Sequence, residues 1–210
     1  MNTKRCIIIG SSPDTDINVI KDNIRQDDFI ACADGGHLYA RQLGLIPHLI
    51  VGDFDSSDYP DSEKSRIIRL PVRKDDTDTV SVVKECLTLG FDEFLLFGMT
   101  GGRFDHTLAN ISVLYHLALL GKKAAVIDDK STTLVMCQGK TVICGKKNCG
   151  FGIFPYACNH IELSLTGFEY DLRCGVLTAD YPVGVSNTFT SDSAEIDILS
   201  GNAVAVITQP

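Results

Sequence analysis

Three acidic strings crowd the first half of this 210-residue chain: Gly52-Asp53-Phe54-Asp55-Ser56, Asp75-Asp76-Thr77-Asp78 and Gly101-Gly102-Arg103-Phe104-Asp105-His106. Asp53 and Asp55 stand two apart directly after the apolar run Leu49-Ile50-Val51, so a strand continued through them sends both carboxylates from one face. Two like charges about 4 Å apart at an effective dielectric of about 20 cost on the order of 4 kcal/mol, and a bound Mg²⁺ reverses the sign of that term. The chemistry such clusters suit is a divalent metal carrying phosphate.

To act together the strings must reach one edge of a common scaffold. From residue 4 onward, short β-branched runs alternate with helical patterns, which predicts an N-terminal parallel-sheet α/β domain of Rossmann-like type over residues 1–130. Strands are expected at 5–9, 29–33, 49–51, 66–70, 93–97 and 124–127. Val80, Val83 and Leu87 recur at helical spacing, as do Leu108, Ile111, Tyr115 and Leu119; Gly90 and Gly121 stand where those patterns stop, as helix caps would. In such a sheet ligands bind outside the carboxyl ends of the strands. Ala33-Asp34-Gly35-Gly36 follows the second strand, Gly52–Ser56 the third, Arg73–Asp78 the fourth and Gly98–His106 the fifth. Each string also has a plain structural reading: Asp76 or Asp105 as a helix N-cap, Asp34-Gly35-Gly36 as a turn, His106 as a structural histidine. Gly101-Gly102 is no Walker A loop, because the Gly-Lys-Ser/Thr ending is missing. What points to a site is the conjunction of four acidic turns at strand ends of one kind.

Beyond Lys130 the texture changes to short β-rich runs separated by Gly, Asn and Pro, which predicts a C-terminal antiparallel β-sandwich domain over residues 131–210. The balance of 19 basic against 27 acidic side chains, −8 overall, argues against nucleic acid held by general attraction to its backbone. The apolar stretch Cys6–Ile9 is too short for a signal sequence, and no run approaches the length of a membrane span, so a cytoplasmic protein with no membrane partner is expected. Eight scattered cysteines without a Cys-x-x-Cys pair favour reduced thiols, and the spacings of Cys144, Cys149, Cys158 and His160 match none of the usual zinc patterns.

Taken in order, Ala33-Asp-Gly-Gly36, Gly52-Asp-Phe-Asp-Ser56, Asp75-Asp-Thr-Asp78, Gly101-Gly-Arg-Phe-Asp-His106 and Ser186-Asn187 resemble the motifs of the thiamine pyrophosphokinase family. The resemblance spans both halves of the chain. It implies transfer of the pyrophosphoryl group of ATP to the hydroxyl of thiamine, with Mg²⁺ as cofactor and AMP leaving. It further implies that Asp53, Asp55 and Asp78 hold metal and, with Arg103 and Asp105, carry the reaction. Asp34, Gly35, Lys74, Asp75, Thr77, Thr100, Gly101, Gly102 and His106 would surround the substrates, with Arg73 beside them. A homodimer is implied as well, with each site between the α/β domain of one subunit and the sandwich of its partner, so that Ser186 and Asn187 reach thiamine from the other chain. The sequence has no Trp, which some relatives place over the thiamine rings; Phe189 or Tyr181 would have to substitute. From the residues alone, a metal-dependent phosphohydrolase and a nucleotide-binding module without turnover stay open.

Overall fold

A computed structural model describes residues 4–55, 59–60, 64–73 and 75–210. The chain forms two compact units, residues 1–129 and 130–210.

The first unit runs β1 (Arg5–Ile9), α1 (Ile17–Asn23), β2 (Phe29–Ala33), α2 (Gly36–Gln42), β3 (Leu49–Gly52), β4 (Arg66–Arg69), α3 (Asp78–Thr88), β5 (Glu93–Phe97), α4 (Phe104–Leu119) and β6 (Lys123–Ile127). Its strands are parallel in the order β6-β5-β1-β2-β3-β4. After β4 the chain returns to the far side of β1, so the order reverses between β1 and β5 and opens a crevice there. β1 is buried on both faces, which is why it reads as an unbroken apolar run. Ile7 and Ile9 join one core with Ile20, Ile30, Cys32, Ala40, Ile50 and Phe97. On the opposite face Cys6 meets α3, its sulfur 3.5 Å from that of Cys86. Each buried isoleucine or phenylalanine of that core contributes about 1.5–3 kcal/mol.

The two long helices begin at acidic strings, as expected. Thr77, not Asp76, caps α3: its hydroxyl accepts the Val80 N–H at 3.2 Å, while Asp76 pairs with Lys84 at 2.5 Å. Gly90 and Gly121 follow their helices at φ +81° and +69°. The inward faces only partly coincide with the recurring apolar positions. α3 buries Val82, Val83 and Cys86, and α4 buries Asn110, Val113, Leu114 and Leu117, leaving Leu108 and Leu119 exposed at 49% and 60%. α4 is apolar around much of its circumference, so spacing alone does not select its face.

The second unit is antiparallel throughout: β7 (Ser131–Met136), β8 (Gly139–Cys144), β9 (Gly150–Pro155), β10 (His160–Thr166), β11 (Leu172–Thr178), β12 (Asn187–Thr188), β13 (Ser193–Ser200) and β14 (Ala203–Thr208). One sheet has the order β12-β9-β14-β7, the other β11-β10-β13-β8. Alternate residues such as Ile161, Leu163 and Leu165 on β10 and Ala203, Ala205 and Ile207 on β14 share one core, the arrangement of a sandwich. Phe151, Phe168 and Phe189 cluster within it, with ring centroids 4.6–5.4 Å apart.

All eight cysteines are free thiols: Cys6, Cys32, Cys86 and Cys149 are buried, Cys144 and Cys174 exposed. Among the described residues no helix is long and apolar enough to cross a membrane.

Candidate active site

The crevice at the reversal between β1 and β5 opens into a cavity of about 590 Å³, lined entirely by residues of the first unit. Strand ends build it. Gly10 follows β1 and Gly98 follows β5, and a Cβ on Gly10 would lie 2.6 Å from the Gly98 carbonyl oxygen, so the two backbones approach only because neither carries a side chain.

Asp34, Asp53, Asp55 and Asp78 all line this cavity, together with Thr77, Gly101, Arg103 and His106. Asp34 follows β2 at φ +45°; its N–H donates to the Val51 carbonyl at 2.8 Å, and its own carbonyl lies 2.8 Å from Nδ1 of buried His37. His37 thus fixes the backbone of a cavity aspartate. Gly36, next in that turn, packs directly on the Ile9 carbonyl, where no Cβ fits.

The strand does not continue through Asp53 and Asp55. β3 stops at Gly52, Phe54 turns at φ +57°, and the Asp55 N–H donates to Asp53 Oδ1 at 3.3 Å. The two carboxylates therefore reach the cavity from a tight turn rather than from alternate positions of a strand, with Phe54 packed edge-on against His37 and Tyr59. Asp78 opens α3, where a carboxylate is favoured by the positive end of the helix dipole. Its Oδ1 is buried and receives no hydrogen bond from the described residues, although the residue is otherwise engaged. Arg103 precedes α4 and Asp105 lies in its first turn; they pair at 2.5 Å, with side chains 71% and 64% exposed. That pairing raises Arg103 above its ordinary pKa and holds Asp105 below the usual carboxylate range.

Other expected residues among those described do not line the cavity. The Gly102 N–H is bound by Asp14, and the Thr100 hydroxyl donates to Asp128 at 3.0 Å. Asp75 is exposed, and Gly35 leads into α2. Lys74 and Ser56 fall outside the described residues. In the second unit Ser186 is exposed at φ +61°, while Asn187 is buried and its amide is occupied: Oδ1 accepts the N–H groups of Tyr170 and Thr188, and Nδ2 donates to the Tyr170 carbonyl at 2.9 Å. Phe189 is 1% exposed inside the aromatic cluster, so it offers no ring to a ligand; Tyr181 and Tyr170 are exposed.

Sequence reasoning missed the first wall of the cavity, the β1 loop Gly10-Ser11-Ser12-Pro13, and Asn110, whose amide donates to the Met99 carbonyl at 2.8 Å. The signal was available only as a Gly-Ser-Ser-Pro turn after the first strand; which strands flank the reversal is not written in local spacing.

Among the described residues no three His, Cys, Asp or Glu side chains gather closely enough to hold a metal ion by themselves. Mg²⁺ seldom uses an all-protein cage: it keeps several waters and takes one or two carboxylates plus substrate phosphates. Four hard oxygen donors around one cavity fit that mode of binding.

Residues 20–127 match the family model for the thiamin pyrophosphokinase catalytic domain, and residues 140–203 match that for the thiamin pyrophosphokinase vitamin B1 binding domain. The thiamine pyrophosphokinase of Bacillus subtilis is 29% identical over 181 residues, 82% of this chain and 84% of that protein. Thiamin pyrophosphokinase 1 of Caenorhabditis elegans is 27% identical over 157 residues, 69% of this chain and 63% of its own length. A crystal structure of a Bacillus subtilis thiamine pyrophosphokinase shares the fold, with a TM-score of 0.87 at 23% identity over 98% of this chain and 99% of that one.

Proposed function

This chain belongs to the thiamin pyrophosphokinase family, and we propose that it transfers the pyrophosphoryl group of ATP to the hydroxyl of thiamine at the carboxyl edge of its parallel sheet. The observation that carries this reading is the convergence of Asp34, Asp53, Asp55, Asp78 and Arg103 on one cavity at the strand-order reversal.

The thiamine hydroxyl oxygen forms a bond to the β-phosphorus of ATP while the bond from that phosphorus to the oxygen shared with the α-phosphate breaks. AMP leaves with the electron pair, and the hydroxyl proton passes to a cavity carboxylate. Reactions of this type depend on alignment and on neutralising phosphate charge more than on a strong base. Asp53, Asp55 and Asp78 would hold Mg²⁺, which when bound neutralises phosphate charge and orients the triphosphate. Arg103 contacts phosphate oxygens. Its pairing with Asp105 keeps the guanidinium at the mouth of the cavity without burying it, so a phosphate can displace a solvent-screened partner at small cost. Asp34 lies at the acceptor side, with Asp75, Thr77, Thr100 and the Gly101–Gly102 turn around the nucleotide. Lys74 and Arg73 would add positive charge.

A homodimer is part of the same reading, the partner's sandwich presenting Ser186 and an exposed Tyr181 or Tyr170 to thiamine, with Asn187 shaping the Tyr170 turn rather than touching ligand. The exposed apolar stripe Phe104, Leu108 and Leu119 on α4 supports a subunit contact. A cytoplasmic location accords with the free thiols.

The deciding experiment is incubation of purified protein with ATP, Mg²⁺ and thiamine, followed by assay of AMP and thiamine diphosphate. Equimolar formation of the two is expected. Release of inorganic phosphate from ATP without thiamine, and no thiamine diphosphate, would assign the site to hydrolysis instead.

A further inference from the structure

We propose that Asp14, in the loop after β1, is a positioning residue for the nucleotide: it holds the Gly101–Gly102 turn in the shape that presents Arg103 to phosphate. The identity of the ligand rests on the pyrophosphokinase reading; the mechanical link between the two loops does not.

Gly101 and Gly102 adopt φ +86° and +57° in succession. Two left-handed glycines in a row impose no preferred shape of their own, so a turn built from them holds only if something outside it supplies the constraint. Asp14 Oδ2 accepts the Gly102 N–H at 2.8 Å, across 88 residues of sequence. The same side chain fills the space beside Gly101: a Cβ added there would lie 2.8 Å from Asp14 Cβ, and one added to Gly102 would lie 3.0 Å from Pro13 Cδ. The turn is therefore moulded on Pro13 and Asp14.

The mould is itself anchored. The Ser12 N–H donates to the Gly98 carbonyl at 3.1 Å and the Ser12 hydroxyl donates to the Thr100 carbonyl. The Ser12 carbonyl in turn accepts the hydroxyls of Tyr39 at 2.8 Å and Thr15 at 2.6 Å. Arg103, the residue after the turn, makes no side-chain cap on α4 but joins the helix start through its carbonyl, which accepts the Thr107 N–H at 3.3 Å, so Asp14 holds the turn from the side opposite the helix. Asp14 does not line the main cavity; it acts on phosphate only through the backbone it holds. Its role is that of a hydrogen-bond acceptor, not of a charge.

That distinction makes the role testable. In Asp14→Asn the amide oxygen can still accept the Gly102 N–H, whereas Asp14→Ala removes the acceptor. Asp14→Ala is expected to raise KM for ATP by up to about tenfold, the upper end of the loss typical of one ordinary hydrogen bond, with kcat within about twofold and KM for thiamine unchanged. Asp14→Asn restores KM for ATP to within about twofold of the starting protein. Amide hydrogen exchange at Gly101–Gly102, measured without ligand, accelerates in Asp14→Ala and not in Asp14→Asn. Gly101→Ala, whose new methyl collides with Asp14, reproduces the rise in KM, and the double variant is less than additive.

An unchanged KM for ATP in Asp14→Ala overturns the proposal, as does an Asp14→Asn variant impaired as much as Asp14→Ala, which would make charge the operative feature. The two readings fail separately. Starting protein that forms no thiamine diphosphate sinks the pyrophosphokinase reading, while normal turnover with an indifferent Asp14→Ala sinks only the role given to Asp14.

Discussion

At the amino ends of the parallel strands Arg5 and Asp28 face each other with side chains 8% and 1% exposed, whereas at the carboxyl ends Arg103 and Asp105 make the same chemical pair in solvent. The buried pair is complete: Arg5 also donates to the Asn23 carbonyl at 2.9 Å, and Asp28 Oδ2 accepts the Arg25 N–H at 2.7 Å. Phe29, which stacks on His48 and meets Phe91 at a tilt, lines a cavity with this pair. At the amino end the Arg5–Asp28 pair is thus satisfied from within the fold. The carboxyl end gathers acids around an open cavity and leaves its arginine within reach of water. One sheet thus keeps a structural end and a chemical end, and the difference lies in how far each polar group is already satisfied.

Substitution should separate the two ends. The largest effect is expected at Asp28→Asn, which leaves the Arg5 charge buried without its counter-ion and lowers stability by about 3 kcal/mol in chemical denaturation, with kcat/KM unchanged at temperatures where the variant is folded. The pH dependence follows from the same pair. Burial alone would push the Asp28 carboxyl up, but the hydrogen bonds from the Arg5 guanidinium and the Arg25 backbone outweigh it and hold the group below its usual range. The contribution is therefore present above about pH 4 and is lost as pH falls through the lowered folded value. Acid unfolding of the Asn variant should be correspondingly less steep in that window. Asp55→Asn should do the opposite of Asp28→Asn: kcat falls about 10²-fold while the melting temperature holds. Near-normal AMP production by that variant would remove Asp55 from the reaction. Arg103→Ala should raise KM for ATP about tenfold and leave thiamine binding in calorimetry untouched. The reverse order would move Arg103 to the acceptor side. Smallest of all is Lys84→Ala, which deletes an exposed pair with Asp76 and should shift stability by less than about 0.5 kcal/mol.

The same contrast explains what could be read in advance. Strands β1, β2 and β5 were legible to the residue because parallel strands buried on both faces appear as short unbroken apolar runs between turns. The acidic strings were legible as a set because Asp, Gly and strand ends coincide. Three features were not. The turn at Phe54 depends on a backbone conformation that the alternation Asp-Phe-Asp does not announce. The inward face of α4 was not decided by spacing, because Leu108, Ile111, Tyr115 and Leu119 form as good a stripe as Val113, Leu114 and Leu117, and only the sheet decides between them. The β1 loop was overlooked because its place in the site depends on strand order, a property of pairing across the sheet. Asn187 teaches a related lesson: its position in a motif suggested ligand contact, yet its amide is spent on the neighbouring backbone.

The uneven burial of the thiols gives the chain an internal clock. Burial pushes Cys32 up in pKa, and the hydrogen bond with Cys86 together with burial does the same for Cys6, so both stay protonated and shielded at neutral pH. An alkylating reagent will therefore modify Cys144 and Cys174 first, and will reach Cys6, Cys32 and Cys86 only when the parallel sheet opens. Peptide-resolved labelling of native protein thus reads the opening of the catalytic unit, as an equilibrium at low reagent and as a rate once alkylation outpaces reclosing, with no denaturant and no engineered probe.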